Sequence, residues 1–307
     1  MGSCSGNFYA FQAADGEVLW TYDTSRDGNP ANFHGDVLVA DSVLVFGSDA
    51  TESTGYVYAL EQKTGNVRWK HREPGGVVSE IVRDGERVYG VSSRGALVCL
   101  SLQDGRLLWR ADADSAGENA SLRYSAIFHA GAIVYSSRDG WLFAVDAETG
   151  EHRWATRLES TVNTELRRID DVVYVGTHGG SLFGVHVETG EPRFALDLVG
   201  MLYGISPPNG QRIYVLAEDV GLVCVDPQAS RVCWTQDLQS MWSSFRPLIY
   251  DGLIWAGNEA GVLYGFDLDT GEPRRDHAID GVVRGFAFLD GRLWIGTLDG
   301  TLYACKP

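Results

Sequence analysis

The sequence predicts an all-β protein, a seven-bladed β-propeller of four-stranded antiparallel blades occupying residues 1–307 as a single domain, with eight blades as the alternative count. Three observations carry this reading. A bulky residue recurs at Trp20, Trp69, Trp109, Trp154, Phe194, Trp234 and Arg275, in steps of 49, 40, 45, 40, 40 and 41 residues. A period of about forty residues suits a unit of four short strands. Within each unit, segments rich in Val, Ile, Leu, Tyr and Trp alternate apolar and polar positions and are broken by Gly and Asp turns, the pattern of successive hairpins.

Each bulky residue closes a repeated segment: FYAFQAADGEVLW (8–20), VYALEQKTGNVRW (57–69), VCLSLQDGRLLW (98–109), LFAVDAETGEHRW (142–154), LFGVHVETGEPRF (182–194), LVCVDPQASRVCW (222–234) and LYGFDLDTGEPRR (263–275). These are read as strands C and D of successive blades. Between them lie pairs of apolar segments around a turn, read as strands A and B, such as RVYGVSS (87–93), AIVYSSR (132–138) and DVVYVGT (171–177). The count is seven A–B pairs, seven D strands and eight C strands. Residues 282–305 lack a D strand and residues 17–23 supply one, so the two ends complete one blade between them. The surplus C strand, 7–11 or 301–305, leaves eight blades open. A four-stranded sheet of this kind buries neither face alone, so copies stack radially with the bulky residue between neighbours.

The stretch Ala144-Val-Asp-Ala-Glu-Thr-Gly-Glu-His-Arg-Trp154 resembles the Ala-x-Asp-x-x-Thr-Gly-x-x-x-Trp docking signature of the PQQ-like, or BamB-like, propeller family. Copies at 10–20 and 59–69 keep most of it, while Phe194, Ser230 and Arg275 depart from it. The resemblance covers nearly the whole chain. It implies how blades pack and says little about chemistry, because one fold serves many functions.

Of the charged residues, 41 are acidic and 25 basic, giving a formal net charge of −16. Nucleic-acid binding needs clustered Lys and Arg, so nucleic acids and anionic membranes are not expected partners. No apolar run approaches the roughly twenty residues of a membrane helix. The amino terminus shows no basic and apolar leader, so the expected location is cytoplasmic, or periplasmic if a leader has been removed.

Five cysteines (Cys4, Cys99, Cys224, Cys233 and Cys305) show no C-x-x-C pair and no His at metal spacing. Cys99 and Cys224 stand where other repeats carry Ala59, Ala144, Gly184 and Gly265, the place of a small buried side chain. Cys224 and Cys233 can face each other across one turn, but composition and the expected compartment favour free thiols there over a disulfide. The resemblance raises the quinone cofactor, but quinoprotein dehydrogenases of the family carry adjacent cysteines, and no Cys-Cys occurs. No cofactor and no metal are expected.

In a propeller the D–A and B–C connections share one face. The excess length of this chain falls there, at 23–34, 48–55 and 111–122, where binding usually resides. Two carboxylates, Glu80 and Glu165, occupy matching positions two blades apart. On the same face the repeat places His34, Arg123, Tyr124, Asn163, Tyr203, Trp242, Arg246 and Arg284. Two functions fit. In the first, the face is a non-catalytic scaffold for a protein, peptide or small ligand, with Arg123, Tyr124, Asn163, Tyr203, Trp242, Arg246 and Arg284 as contacts and the protein a monomer. In the second, a cofactor-independent lyase, isomerase or cyclase uses Glu80, Glu165 or His34 as acid or base and arginines to hold an oxyanion. A structural role competes for the carboxylates, as ion pairs with arginine between blades.

Overall fold

The computed structural model describes residues 2, 6–27, 32–33, 35–48, 54–112, 125–137, 139–239 and 246–307. They fall into two compact units, Met1–Leu158 and Glu159–Pro307. In the first, β1 (Asn7–Phe11) and β2 (Val18–Asp23) form a two-stranded sheet, and a 3-10 turn follows at Thr24–Asp27. Three four-stranded sheets come next. They are β3 (Leu38–Ala40), β4 (Val43–Gly47), β5 (Thr54–Glu61) and β6 (Val67–Pro74); β7 (Val82–Asp84), β8 (Arg87–Val91), β9 (Leu97–Ser101) and β10 (Leu107–Ala111); and β11 (Ala126–His129), β12 (Ala132–Ser136), β13 (Trp141–Asp146) and β14 (His152–Arg157).

The second unit has three four-stranded sheets and one of three strands. They are β15 (Arg167–Ile169), β16 (Val172–Gly176), β17 (Ser181–His186) and β18 (Pro192–Asp197); β19 (Leu202–Ile205), β20 (Ile213–Ala217), β21 (Gly221–Asp226) and β22 (Arg231–Gln236); β23 (Leu248–Tyr250), β24 (Leu253–Gly257), β25 (Val262–Asp267) and β26 (Pro273–Ala278); and β27 (Val283–Leu289), β28 (Arg292–Thr297) and β29 (Leu302–Cys305).

All ladders are antiparallel between sequence neighbours, so each sheet is an up-and-down meander. The fold class is the expected all-β propeller of four-stranded blades. Among the described residues the strands number seven A, seven B, eight C and seven D, as the repeat predicts. The eight sheets are roughly consistent with the expected blade count. Six are complete, and the C strands β1 and β29 each pair within their own terminal sheet.

Within each unit the core is a series of apolar layers between consecutive sheets. Tyr89, Cys99, Ile133, Tyr135 and Phe143 fill one in the first unit, and Tyr214, Leu222, Cys224, Ile254 and Phe266 fill one in the second. The docking signature explains how these layers close. In every C–D hairpin the small residue stands directly opposite the bulky one: Ala10 with Trp20, Ala59 with Trp69, Cys99 with Trp109, Ala144 with Trp154, Gly184 with Phe194, Cys224 with Trp234 and Gly265 with Arg275. The register slips immediately afterwards in each, a β-bulge that puts two residues of strand D against one of strand C.

The bulged strand aims its indole at the next sheet. Trp69 donates its ring N–H to the Leu102 carbonyl at 2.8 Å, and Trp20, Trp109 and Trp234 do the same to Gln62, Ala147 and Leu268 at 3.0, 3.2 and 3.2 Å. The four accepting carbonyls occupy one position of the repeat, three residues before the turn glycine. The ring then lies flat on that glycine. A Cβ on Gly105, whose φ is +70°, would sit 2.4 Å from Cε3 of Trp69. Glycine is thus required twice at this place, for its left-handed backbone and for the absence of a side chain.

Trp69→Ala is expected to destabilise the protein by about 3–5 kcal/mol, the loss typical of a buried large-to-small change, whereas Arg275→Ala loses one exposed hydrogen bond, about 1 kcal/mol. Urea unfolding midpoints of the two variants against the parent protein check this. Equal shifts would show that the indole docking contributes no more than the exposed contact.

Candidate functional site

The two carboxylates singled out from the repeat sit in the same local structure, one in each unit. Isolated bridges Val77↔Ser92 and Val162↔Thr177 bring the chain into each sheet just ahead of strand A. Two residues past Val77, the Ser79 hydroxyl accepts the Val91 N–H at 2.8 Å and donates to the Glu80 carbonyl at 2.8 Å. Thr164 repeats this, accepting from the Gly176 N–H at 2.8 Å and donating to the Glu165 carbonyl at 3.0 Å. A hydroxyl bridge between strands A and B therefore fixes the backbone from which each glutamate projects. Both side chains are half-buried.

Glu165 and Asn163 project to the next sheet and grip its first strand at two points. The Asn163 amide donates to the Leu202 carbonyl at 2.7 Å, and Glu165 Oε2 accepts the Ile205 N–H at 3.3 Å. β19 is the edge strand of its sheet, so the backbone groups it turns away from β20 are met by side chains, as buried polar groups require. Glu165 does reach the neighbouring blade, but its partner is a backbone amide instead of the expected arginine.

Tyr203, carried on β19 between those anchors, donates its phenol to Glu218 Oε1 at 2.9 Å. Glu218 Oε2 accepts the Met201 N–H at 3.4 Å, and the Glu218 N–H donates to the Met201 carbonyl at 2.9 Å. Glu218 was not singled out from sequence. It follows strand B where the other repeats carry Ser48, Ser92, Ser137, Thr177, Asn258 and Thr297, residues that tie the B–C turn. One glutamate in a series of short polar residues at this repeat position is the available signal.

Of the other candidates, Arg246 is half-buried and Arg284 exposed, both in the second unit. His34, Arg123, Tyr124 and Trp242 lie outside the described residues. Among the described residues no three His, Cys, Asp or Glu side chains converge as metal ligands would.

The first unit contains two buried carboxylates that the repeat does not predict. Asp27, at the end of the 3-10 turn, accepts from the phenols of Tyr22 at 2.8 Å and Tyr58 at 3.1 Å and pairs with Lys70. Burial first, and then the Asp27 carboxylate, pushes the Tyr22 phenol far above its ordinary value; burial and Asp27 do the same to Tyr58. These phenols stay protonated donors, so the cluster pins the start of the long 23–37 connection. Glu73, at the end of β6, is paired with Arg110 on β10, which also holds Asp112 at 2.7 Å. The pair fixes the residues that enter the extended 113–124 connection. Charged groups in both clusters anchor the roots of long loops, and Asn163 and Glu165 anchor a strand.

A family model described as outer membrane protein assembly factor BamB matches residues 4–173 and 138–305 of this chain. The outer membrane protein assembly factor BamB of Yersinia pestis is 24% identical over 311 residues, covering 96% of this chain and 78% of that protein. That of Escherichia coli (strain K12) is 26% identical over 322 residues, covering 98% and 80%. Among solved structures, BamB from Moraxella catarrhalis matches with a TM-score of 0.80 at 18% identity, over 98% of this chain and 91% of that one. The computationally designed Ika8 protein matches with a TM-score of 0.81 at 18% identity, over 100% and 92%. At these identities the two structures speak for the fold alone.

If Glu165 is a clamp on β19, Glu165→Gln keeps an acceptor oxygen and should hold stability within about 0.5 kcal/mol, while Glu165→Ala and Asn163→Ala each lose about 1 kcal/mol. Denaturant midpoints at neutral pH measure this. A Glu165→Gln variant as unstable as Glu165→Ala would show that the charge, and not the hydrogen bond, is what the site uses.

Proposed function

Because the chain belongs to the BamB family of outer membrane protein assembly factors, we propose that it is a non-catalytic scaffold, one propeller domain over residues 1–307, that recognises a protein or peptide of outer membrane protein assembly on its D–A and B–C loop face. The family match along the whole chain is the observation that carries this reading. The relatives are named for a process at the outer membrane, which favours the periplasmic location over the cytoplasmic one; the cytoplasmic expectation gains no support from them. The engagement of Glu165 by the Ile205 amide supports a packing role for that carboxylate over a general-base role.

On this reading the contacts are the loop-face side chains Tyr203, Arg246 and Arg284, with Arg123, Tyr124 and Trp242 beside them in the repeat, and Glu80 and His34 take no catalytic part. Tyr and Arg are the residue types that interfaces favour, since each combines broad apolar contact with directional hydrogen bonding. The Tyr203 phenol is held by Glu218 while its half-buried ring packs against the apolar layer that includes Tyr214 and Leu222. The excess of acid over base elsewhere, a net charge of −16, keeps the chain off anionic surfaces and leaves arginines as local points of recognition for a partner carrying carboxylates.

The test is affinity capture with the tagged full chain from a bacterial envelope extract, set against an Arg246→Ala/Arg284→Ala variant of unchanged melting temperature. Recovery of an outer membrane assembly protein by the parent chain, reduced about tenfold or more in the variant as loss of two interface arginines implies, is the expected result. Equal recovery by the variant would remove these arginines from the contact, and a small metabolite bound without any protein partner would overturn the scaffold reading.

A further inference from the structure

The hairpin of β21 and β22 is the C–D hairpin whose bulge brings two thiols together. Cys224 pairs with Trp234 and Val225 with Val232, so Cys233 is the extra residue and stands with Trp234 against Cys224. At the same place the other hairpins have Leu19, Arg68, Leu108, Arg153, Arg193 and Arg274. Both cysteines pack into one apolar layer, Cys224 fully buried and Cys233 half-buried, side by side across the hairpin. Residues that close across adjacent strands have the short Cα and Cβ separations that a disulfide requires.

A second observation concerns the turn these cysteines flank. Asp146-Ala-Glu-Thr-Gly150 and Asp267-Leu-Asp-Thr-Gly271 tie their turns with a threonine hydroxyl that donates to the aspartate, at 3.2 and 3.1 Å, and accepts a backbone N–H, at 3.2 and 3.3 Å. The sequence Asp226-Pro-Gln-Ala-Ser230 has Ala229 in place of the threonine and Ser230 in place of the glycine, held at a φ of +49° that side-chain-bearing residues disfavour. This turn departs from the repeat in both respects, and it is the one flanked by the thiol pair.

We propose that Cys224 and Cys233 form an intramolecular disulfide, made by exchange with a low-molecular-mass disulfide, that braces the β21–β22 hairpin in place of the missing turn interactions. Cys233, the more accessible sulfur, attacks as its thiolate one sulfur of the oxidant, forming a mixed disulfide and expelling one thiolate. The Cys224 thiol then loses its proton and attacks the Cys233 sulfur, expelling the second thiolate. Two protein S–H bonds and one oxidant S–S bond become one protein S–S bond and two small thiols. Burial, then the neighbouring Cys233, push the Cys224 thiol up to about 12, with the Arg212 guanidinium pulling the other way. Cys224 is therefore suited to act second, once its partner sulfur is in contact. Cys99 faces Trp109 across its own hairpin and Cys305 lies against the Leu293 carbonyl, so neither shares the arrangement.

The experiment treats the reduced protein with oxidised glutathione, blocks remaining thiols after denaturation and maps the digest by mass spectrometry. The expected product is a linked Cys224–Cys233 peptide, with Cys99 and Cys305 still blocked. Its formation should raise the melting temperature, dithiothreitol should reverse the rise, and Cys233→Ser should abolish the redox dependence. Blocked Cys224 and Cys233 after oxidation, or a glutathione adduct that stays on Cys233, would overturn the proposal. No partner enters this readout, so its failure and that of the scaffold reading are separable.

Discussion

Four of the sheet-to-sheet contacts described above depend on one interaction, the docking of a tryptophan from strand D onto the following C–D turn. Its geometry has three parts that need one another. A small residue on strand C makes room opposite the indole, a bulge in strand D turns the ring outward, and a bare glycine in the next turn receives it. Where a tryptophan docks the three fit together: a Cβ at Gly105, for example, would meet the Trp69 ring at 2.4 Å. The hydrogen bond from the indole N–H to the turn carbonyl fixes the angle, and the apolar area fixes the depth.

That dependence is why so much of the fold is legible in the amino-acid sequence. The docking parts are local and repeated, so the steps between Trp20, Trp69, Trp109 and the later members locate the hairpins, and the strand types follow in number and order. The candidate site is less legible because its geometry depends on exceptions to the repeat. Aligning repeats places Glu80 and Glu165 correctly at equivalent positions, and the hydroxyls of Ser79 and Thr164 show why those positions are equivalent. Alignment alone does not show that Glu165 meets a backbone amide, since the demand for an acceptor arises from the outward-facing edge strand of the neighbouring sheet. Asp27 is further out of reach: it belongs to a 3-10 turn in a D–A connection with no counterpart among the described residues of the other repeats, and its partners come from β2 and from both strands of the β5–β6 hairpin.

The roots of the extended connections share a design. Asp27 under Tyr22 and Tyr58, and Glu73 under Arg110, are carboxylates almost wholly removed from solvent and matched by donors on neighbouring strands. Breaking such a pair on one side leaves an uncompensated charge, which is far worse than having neither partner. Long loops can vary in sequence and length on such a base without disturbing the sheets, because the last residue of the scaffold is held by something stronger than the loop's own preferences.

The two departures from the docking residue divide its contact into its parts. Phe194 is buried to 8% exposure and packs in one apolar layer with Ile213, Val215 and Val225 of the next sheet, keeping the apolar part with no N–H to donate. Arg275 does the reverse. Its guanidinium donates at 2.5 Å to the Pro307 carbonyl, three residues after Ala304 and so at the position that the indoles address elsewhere, while its side chain stays 45% exposed. The signature Trp therefore joins two separable interactions, and the repeat tolerates a blade that has either one. Since the register and bulge persist at both places, the backbone geometry of the hairpin does not derive from the indole. The small residue on strand C and the turn set it, and the side chain at the docking position decides only how firmly one blade holds the next.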